Sequence, residues 1–302
     1  MSNGQRILAI DIGQTGSRLR SSDGLEFHKG PAFNREAGVI SSIRNTLVAA
    51  QNPKTDIVSL SLTGLRGFVP DPNEIGKLCH SLTGAEAVAV IDDGFAALSG
   101  ALDGKDGLAI SVGSGVVAVA KNGNAVAHRD GDGPILGDDG GGFWIGREGL
   151  RSALKFHEDR GPETILLERV ESKFGAIYAG IRNKPDDEIR KLCIQAAEVV
   201  LDCANAGDLE AMKIRDSATD LLTETVCSAW RGVSDMDGGG AASYTGRVLS
   251  NHEFKSMLLE KMNARVANLK WHEPYGDNLD GALFIGISGQ SDLPPLLRWW
   301  HL

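Results

Sequence analysis

The stretch ILAIDIGQTGSRLRSSDG, residues 7–24, joins an apolar run to an aspartate, a glycine-rich break and a second run that closes on Asp23-Gly24. A P-loop needs a Lys-Ser/Thr pair, and both it and the dinucleotide fingerprint must lead into a helix. Neither condition is met here. Residues 17–22 carry no helical apolar stripe and are followed by Asp23-Gly24, a strong hairpin signal. The stretch therefore predicts strand, tight glycine turn, strand. Such a tip is either an ordinary β-turn or an anion site, in which uncovered backbone N–H groups are joined by the Thr15 and Ser17 hydroxyls.

About 100 residues downstream the pattern returns in GLAISVGSGVVAVAKNGNAV, residues 107–126. An apolar run meets Gly113-Ser114-Gly115, continues as an apolar strand, and turns at Asn122-Gly123 into a third strand. Two copies of strand, glycine turn, strand and hairpin predict a duplicated α/β domain whose loops grip one polyphosphate from opposite sides. A chain of 302 residues is long enough for two lobes with separate cores. Its 38 glycines exceed the usual ~7% and suit many tight turns.

A formal charge of -9 with no basic stripe argues against a nucleic-acid partner. No apolar run approaches a membrane span and MSNGQR lacks a signal-peptide core, so a cytoplasmic protein is expected. Cys79, Cys193, Cys203 and Cys227 have no C-x-x-C spacing and read as buried, reduced hydrophobes. The seven histidines show no metal-ligand spacing.

Strands and helices alternate along the chain. Strands are expected over 7–12, 17–22, 25–29, 56–64 and 87–91, with helices over 37–51, 73–82 and after Asp93. The second glycine hairpin is followed by a long helical stretch from Gly141 to about Arg231, broken at Gly161-Pro162 and near Lys184-Pro185. Strand, helix, strand and helix close the chain. Trp299 and Trp300 read as a C-terminal tail packing against a lobe or an oligomer partner. The polar segment 103–107 is the best lobe boundary, giving a first lobe over 1–105 and a second over 106–302, with the final helix packing back on the first.

Asp92-Asp93 stands where a strand ends and a helix begins, the edge at which open α/β sheets bind ligands. One carboxylate can cap the helix while the other takes a proton from an attacking hydroxyl. GDGPILGDDGGGFWIGREGL, residues 131–150, offers Asp132, Asp138 and Asp139 before an apolar helix. It reads as a flexible loop with a cap, or as a substrate loop whose carboxylates match sugar hydroxyls.

With these residues the chain resembles the BadF/BadG/BcrA/BcrD ATPase family, and within it the N-acetylglucosamine kinase-like sugar kinases of the actin-like ATPase superfamily. AIDIGQTGSR resembles the first phosphate loop, VIDDGFAAL the N-D-x-x-A-A segment, and ISVGSGVVA the second phosphate loop. GPILGDDGGGFWIG is similar to L-G-D-E-G-S-G-Y-W-I-G, the most specific of the matches, and GPAFN to the sugar-contacting G-P-x-N. SYTGRVLSNHEF and EPYGDNLDGALFIG resemble the adenosine-side motif and the closing helix.

The resemblance implies a duplicated ribonuclease H-like (actin-like ATPase) fold, two lobes around a nucleotide cleft, using ATP and Mg²⁺ to phosphorylate an amino sugar on its 6-hydroxyl. It implies Asp11 near the metal, and Gly13, Gln14, Thr15, Gly16, Gly113, Ser114 and Gly115 on the phosphates. Gly246 and Arg247 fall on the adenosine side, Asp93 is the base, and Asn34, Asp138 and Asp132 join it on the sugar. A small-molecule sugar is the implied partner, and a homodimer is left open. Gln14 replaces a loop glycine, Asp92 stands where Asn is usual, and Arg247 replaces a glycine. Asp132 replaces a frequent Trp, a change toward a more polar or cationic sugar such as glucosamine. Two other classes stay open: an ATPase that drives electrons into a radical dehydratase, and a non-catalytic sugar sensor.

Overall fold

In the computed structural model, which describes residues 4–176, 180, 183–235 and 237–302, two mixed sheets carry the same strand order. The first half runs β1 (Ile7–Ile12), β2 (Ser17–Ser21), β3 (Glu26–Gly30), α1 (Gly38–Ala49), β4 (Ile57–Leu62), α2 (Asn73–Thr83), β5 (Ala87–Asp92) and α3 (Asp93–Ala101). Its sheet is ordered β3-β2-β1-β4-β5, with β1, β4 and β5 parallel and the β1–β2–β3 meander antiparallel. The second half begins β6 (Gly107–Val112), β7 (Val116–Asn122), β8 (Ala125–Asp130) and later adds β9 (Gly240–Thr245) and β10 (Leu269–His272). Its sheet is ordered β8-β7-β6-β9-β10, the same meander followed by two parallel strands. This is the duplicated ribonuclease H-like arrangement of the actin-like ATPases, and residues 13–16 and 113–115 occupy the same turn in each copy.

Burial explains the strand placement. IVSLSL of β4 is buried at every residue, as a central strand covered on both faces must be. SRLRS of β2 alternates, turning Ser17, Leu19 and Ser21 inward and leaving the two arginines half-buried on the other face, where they meet Asp11, Asp277 and Asp280.

Between β8 and β9 lie α4 (Gly142–His157), α5 (Leu166–Phe174), α6 (Asp186–Asn205) and α7 (Leu209–Arg231). The breaks expected near 161 and 184 are present. A third, at Gly207-Asp208, is an addition to the sequence reading: the Asp208 side chain accepts from Ala211 N–H and caps α7. Residues 177–179 and 181–182, which fall inside the expected helical stretch, lie outside the described residues. α8 (His252–Arg265) joins β9 to β10.

The chain then returns to the first sheet. α9 (Asn278–Ser288) packs on α3, β1 and β4, and β11 (Leu297–His301) pairs antiparallel with β5 as a new edge strand. A boundary at 105 separates β5 from β6 and leaves β11 on the far side of it in sequence. Trp299 and Trp300, expected in a packing tail, are strand residues, and Trp300 lies against Gly76 of α2 with 8% of its surface exposed. α3 and α9 cross in backbone contact, since a Cβ on Gly281 would overlap the Ala96 carbonyl. Around that crossing Ile91, Phe95 and Ala9 meet Ala109, Val119 and Leu279 in an apolar cluster joining the two lobes.

Candidate active site

Both glycine turns form at the carboxyl ends of the first strands of their sheets, opposite one another. Gly13 N–H donates to Gly16 C=O at 2.9 Å, and Gly113 N–H donates to Gly115 C=O at 2.9 Å. Neither turn uses all its donors: the backbone N–H groups of Gln14, Thr15, Ser114 and Gly115 have no hydrogen-bond partner among the described residues. A run of such donors is an anion cradle. The second turn is also locked to α4, because Gly142 and Phe143 N–H donate to the Gly113 and Ser114 carbonyls, both at 2.9 Å. Ser17, expected to add a hydroxyl to the first turn, is instead buried behind it and accepts from Thr46 Oγ1 at 3.1 Å.

Two of these glycines differ in what demands them. A Cβ on Gly115 would lie 2.5 Å from Asp138 Oδ1, so the protein itself requires glycine there. A Cβ on Gly113 would meet nothing within 4 Å and its φ is ordinary, so its smallness leaves open space facing the cleft. Close approach by a phosphate is the use that space fits.

Between the lobes lies a cavity of about 580 Å³ lined by Gln14, Thr63, Asp93, Gly113–Val117, Asp132 and Asp138, among others. A second, of about 540 Å³, shares Gly113 and Ser114 and continues along α6 past Ile194, Ala197 and Leu201 to Arg247 and Val248. The two cavities thus meet at the second glycine turn. The wall of the second cavity sets Ile194, Ala197 and Leu201 beside Glu198, Asp202 and Asn251, a mix of apolar surface and polar groups that can receive a nucleoside's base and ribose hydroxyls. Gly246, with φ +106°, turns the chain from β9 into that wall.

Asp92 and Asp93 stand in different surroundings. Asp92 is fully buried; its Oδ1 accepts from Gly94 N–H at 3.0 Å and caps α3, while Oδ2 accepts from Gly67 N–H at 2.9 Å. His128 Nε2 stands 3.6 Å from Oδ1. Asp93, one residue on, lines the cavity. Burial, then the Asp92 charge beside it, pushes its carboxyl up to about 7, against a hydrogen bond from Thr63.

Asp11, one residue before the end of β1, has its carboxylate held on both sides, by Arg18 Nη2 at 2.8 Å and Ser61 Oγ at 2.9 Å. The same guanidinium reaches Asp277, the N-cap of α9, at 2.6 Å. Burial works against both members of this pair, yet their hydrogen bond prevails and holds Asp277 below its usual range. The described residues include no group of three or more His, Cys, Asp or Glu side chains able to hold a metal. A single oriented carboxylate matches Mg²⁺, which keeps most of its shell as water and substrate phosphate.

Asp138 Oδ1 accepts from Val116 N–H at 3.0 Å, and burial raises its carboxyl. Asp132 is exposed on the same cavity wall. Asn34 is exposed and absent from that lining; its Oδ1 accepts from Glu36 and Ala37 N–H, both at 3.0 Å, and shapes the turn before α1. The cavity also contains Arg35, Arg66, Arg190, Thr63 and His128, which sequence reasoning missed. Arg35 sits next to the segment singled out for Asn34. Arg66 follows the glycine exit of β4, a strand end of the ligand-binding kind. Arg190, on a helix face, had no local signal. All four cysteines are buried and unpaired.

The family model described as the BadF/BadG/BcrA/BcrD ATPase family matches residues 22–283. An N-acetylmuramic acid/N-acetylglucosamine kinase of Clostridium acetobutylicum is 27% identical over 235 residues, 72% of this chain and 73% of that protein. An N-acetyl-D-glucosamine kinase of Dictyostelium discoideum is 25% identical over 246 residues, 76% and 77% of the two chains. Among solved structures, a protein provisionally named N-acetylglucosamine kinase from Chromobacterium violaceum has a TM-score of 0.70 at 20% identity, covering 93% of this chain and 98% of that one. At that identity the likeness is one of fold. No helix of the described residues is long and apolar enough to cross a membrane.

Proposed function

The chain belongs to the BadF/BadG/BcrA/BcrD ATPase family, and from that premise we propose that it is an ATP-dependent kinase that phosphorylates an amino sugar at its 6-hydroxyl. The relatives named for N-acetylglucosamine and N-acetylmuramic acid support the substrate class. The observation that carries the reading is Asp93: a carboxyl pushed up to about 7 in a cavity that adjoins two unspent N–H cradles. A base with that proton affinity suits removal of a hydroxyl proton near neutral pH.

In this reading the backbone N–H groups of Gln14, Thr15, Ser114 and Gly115 hold the phosphates, and the second cavity takes the adenosine. Asp11 is the carboxylate that would face the magnesium ion carried by the nucleotide, and Arg18 and Ser61 fix its orientation. The ion, when bound, neutralises charge on the phosphates. Asp92 keeps Asp93 in place by capping α3, and Asp93 accepts the proton of the sugar hydroxyl as it attacks. Asp138, pinned by Val116 N–H, and Asp132 accept from the ring hydroxyls. Most of the rate then comes from alignment of the attacking oxygen and stabilisation of phosphoryl charge.

The test is release of ADP from Mg·ATP with N-acetylglucosamine, glucosamine and glucose in turn, followed by ³¹P and ¹H NMR of the product. Sugar-dependent release with the phosphate on O6 is expected for an amino sugar. ATP hydrolysis indifferent to sugar, or a phosphate on another oxygen, would refute the assignment.

A further inference from the structure

The Asp92 carboxylate is fully buried, and both its oxygens accept from backbone N–H groups, Oδ1 from Gly94 and Oδ2 from Gly67. Such bonds satisfy lone pairs, but a buried charge stays costly until an opposite charge or dipole answers it. The adjacent Asp93 carboxyl sharpens the need, since two carboxylates sharing a site oppose each other's ionisation. Among the described residues, the one basic side chain within 4 Å of Asp92 is His128, whose Nε2 stands 3.6 Å from Oδ1, an ion-pair distance longer than a hydrogen bond. An imidazole can meet a carboxylate there as a cation or as an N–H dipole.

This contact runs between the lobes. Asp92 ends β5 of the first sheet, whereas His128 belongs to β8, the edge strand of the second. Val117 and Val119 of β7 press on the same place, since a Cβ on Gly94 would stand 3.4 Å and 2.9 Å from their methyl groups. The His128 side chain is 12% exposed and borders the first cavity. Its ring also closes on Gly67, where a Cβ would fall 2.8 Å from His128 Cγ. One imidazole thus touches both the Asp92 carboxylate and the turn that donates to it. β8 leads directly into the 131–138 loop, and Asp130, two residues after His128, accepts from Asp138 N–H at 2.6 Å. The strand that reaches Asp92 therefore also holds Asp138, the carboxylate assigned above to the sugar.

Resting on the sugar-kinase reading above, we infer that His128 is a positioning residue for the base: reaching across from the second lobe, it answers the charge of Asp92 and seats the Gly67 turn, and so ties the placement of Asp93 to contact between the lobes. It acts through Asp92 and not on the substrate. Asp92 is then more than a helix cap, because its charge gives the second lobe something to hold.

A double-mutant cycle between His128 and Asp92 tests the inference. His128→Phe keeps a ring against Gly67 and removes the nitrogen that faces Asp92; His128→Gln keeps an N–H donor near the place of Nε2. With Mg·ATP and N-acetylglucosamine, His128→Phe should lower kcat about tenfold or more while KM for ATP stays within about threefold, and His128→Gln should recover part of the loss. In the Asp92→Asn background, where no charge is left to answer, His128→Phe should change kcat by less than about twofold. Urea unfolding of the same proteins without ligands separates the contact from catalysis: His128→Phe should lower the midpoint at least about twice as far in the wild-type background as in Asp92→Asn. If His128→Phe does not fold, His128→Leu takes its place in both comparisons. Equal effects in the two backgrounds would make His128 a packing residue and overturn the inference, as would an undiminished kcat in the folded single variant. Absence of turnover in the wild-type chain would refute the kinase reading, with the unfolding cycle still deciding whether His128 answers Asp92; turnover with additive effects would spare that reading and refute this one.

Discussion

Replacing Asp93 by Asn should make the protein more stable and nearly inactive. Its carboxyl is raised from 3.8 to about 7, chiefly because burial penalises the charged form and secondarily because Asp92 stands beside it. An acid with a raised pKa keeps its proton in the folded chain over a range in which the unfolded chain has already lost it. Its cost to stability is therefore absent below about pH 4, grows as pH rises to about 7, and is constant above that. A rise of about three pH units, at about 1.4 kcal/mol each, sets the ceiling near 4 kcal/mol. Some of that is relieved by water reaching the cavity, so Asp93→Asn should be about 2–4 kcal/mol more stable than wild type at pH 8 and nearly equal to it at pH 4. Asn retains a group able to accept the Thr63 hydrogen bond. Urea unfolding of both proteins at pH 4, 6 and 8 measures the gap, and turnover of the same samples should fall roughly 10²–10⁴-fold. Wild-type kcat/KM should rise through an apparent pKa near 7 and be about tenfold below its plateau at pH 6. A stability gap that does not widen between pH 4 and pH 8 would refute the burial account. Undiminished turnover would refute the role of Asp93 as base.

Gly115→Ala would set a Cβ 2.5 Å from Asp138 Oδ1; it should cost about 1–3 kcal/mol by displacing that carboxylate, and raise KM for the sugar more than KM for ATP. Asp92→Ala removes the α3 cap and leaves Gly67 N–H unpaired, so thermal unfolding should show a loss of about 2–4 kcal/mol. Asp92→Asn, which removes a charge beside Asp93, should move the ascending limb of the pH–rate profile to lower pH. Gln14→Gly should leave KM for ATP within about threefold, because the first turn offers backbone donors that glycine preserves; a tenfold gain in ATP affinity would show that the native side chain obstructs the phosphates.

Much of the cleft was legible because its parts are local. A hairpin announces itself by Asp-Gly or Asn-Gly, and a strand-end aspartate by the apolar run before it, so both glycine turns and the Asp92-Asp93 pair were visible as short patterns. Asp92 and Asp93 could not be told apart by position. One oxygen of Asp92 faces Gly94, as any cap would, and the other is fixed by Gly67, 25 residues away. At Asn34 the motif and the local geometry address different atoms: the resemblance directs the residue to the sugar, its Oδ1 accepts from the turn before α1, and its neighbour Arg35 lines the cavity.

The sequence by itself determined the duplicated order of elements, since period-two burial, glycine turns and helix caps are written within a few residues of where they act. It also determined that the two glycine turns would be equivalent, because each follows the first strand of its repeat. Tertiary structure decided what those turns face. The return of α9 and β11 to the first sheet, the sharing of Arg18 between Asp11 and Asp277, and the convergence of Arg35, Arg66 and Arg190 on one cavity join residues more than 250 positions apart. No local pattern encodes such neighbours; they are selected when the lobes bury their shared apolar cluster, and the charges left at its edge become the site.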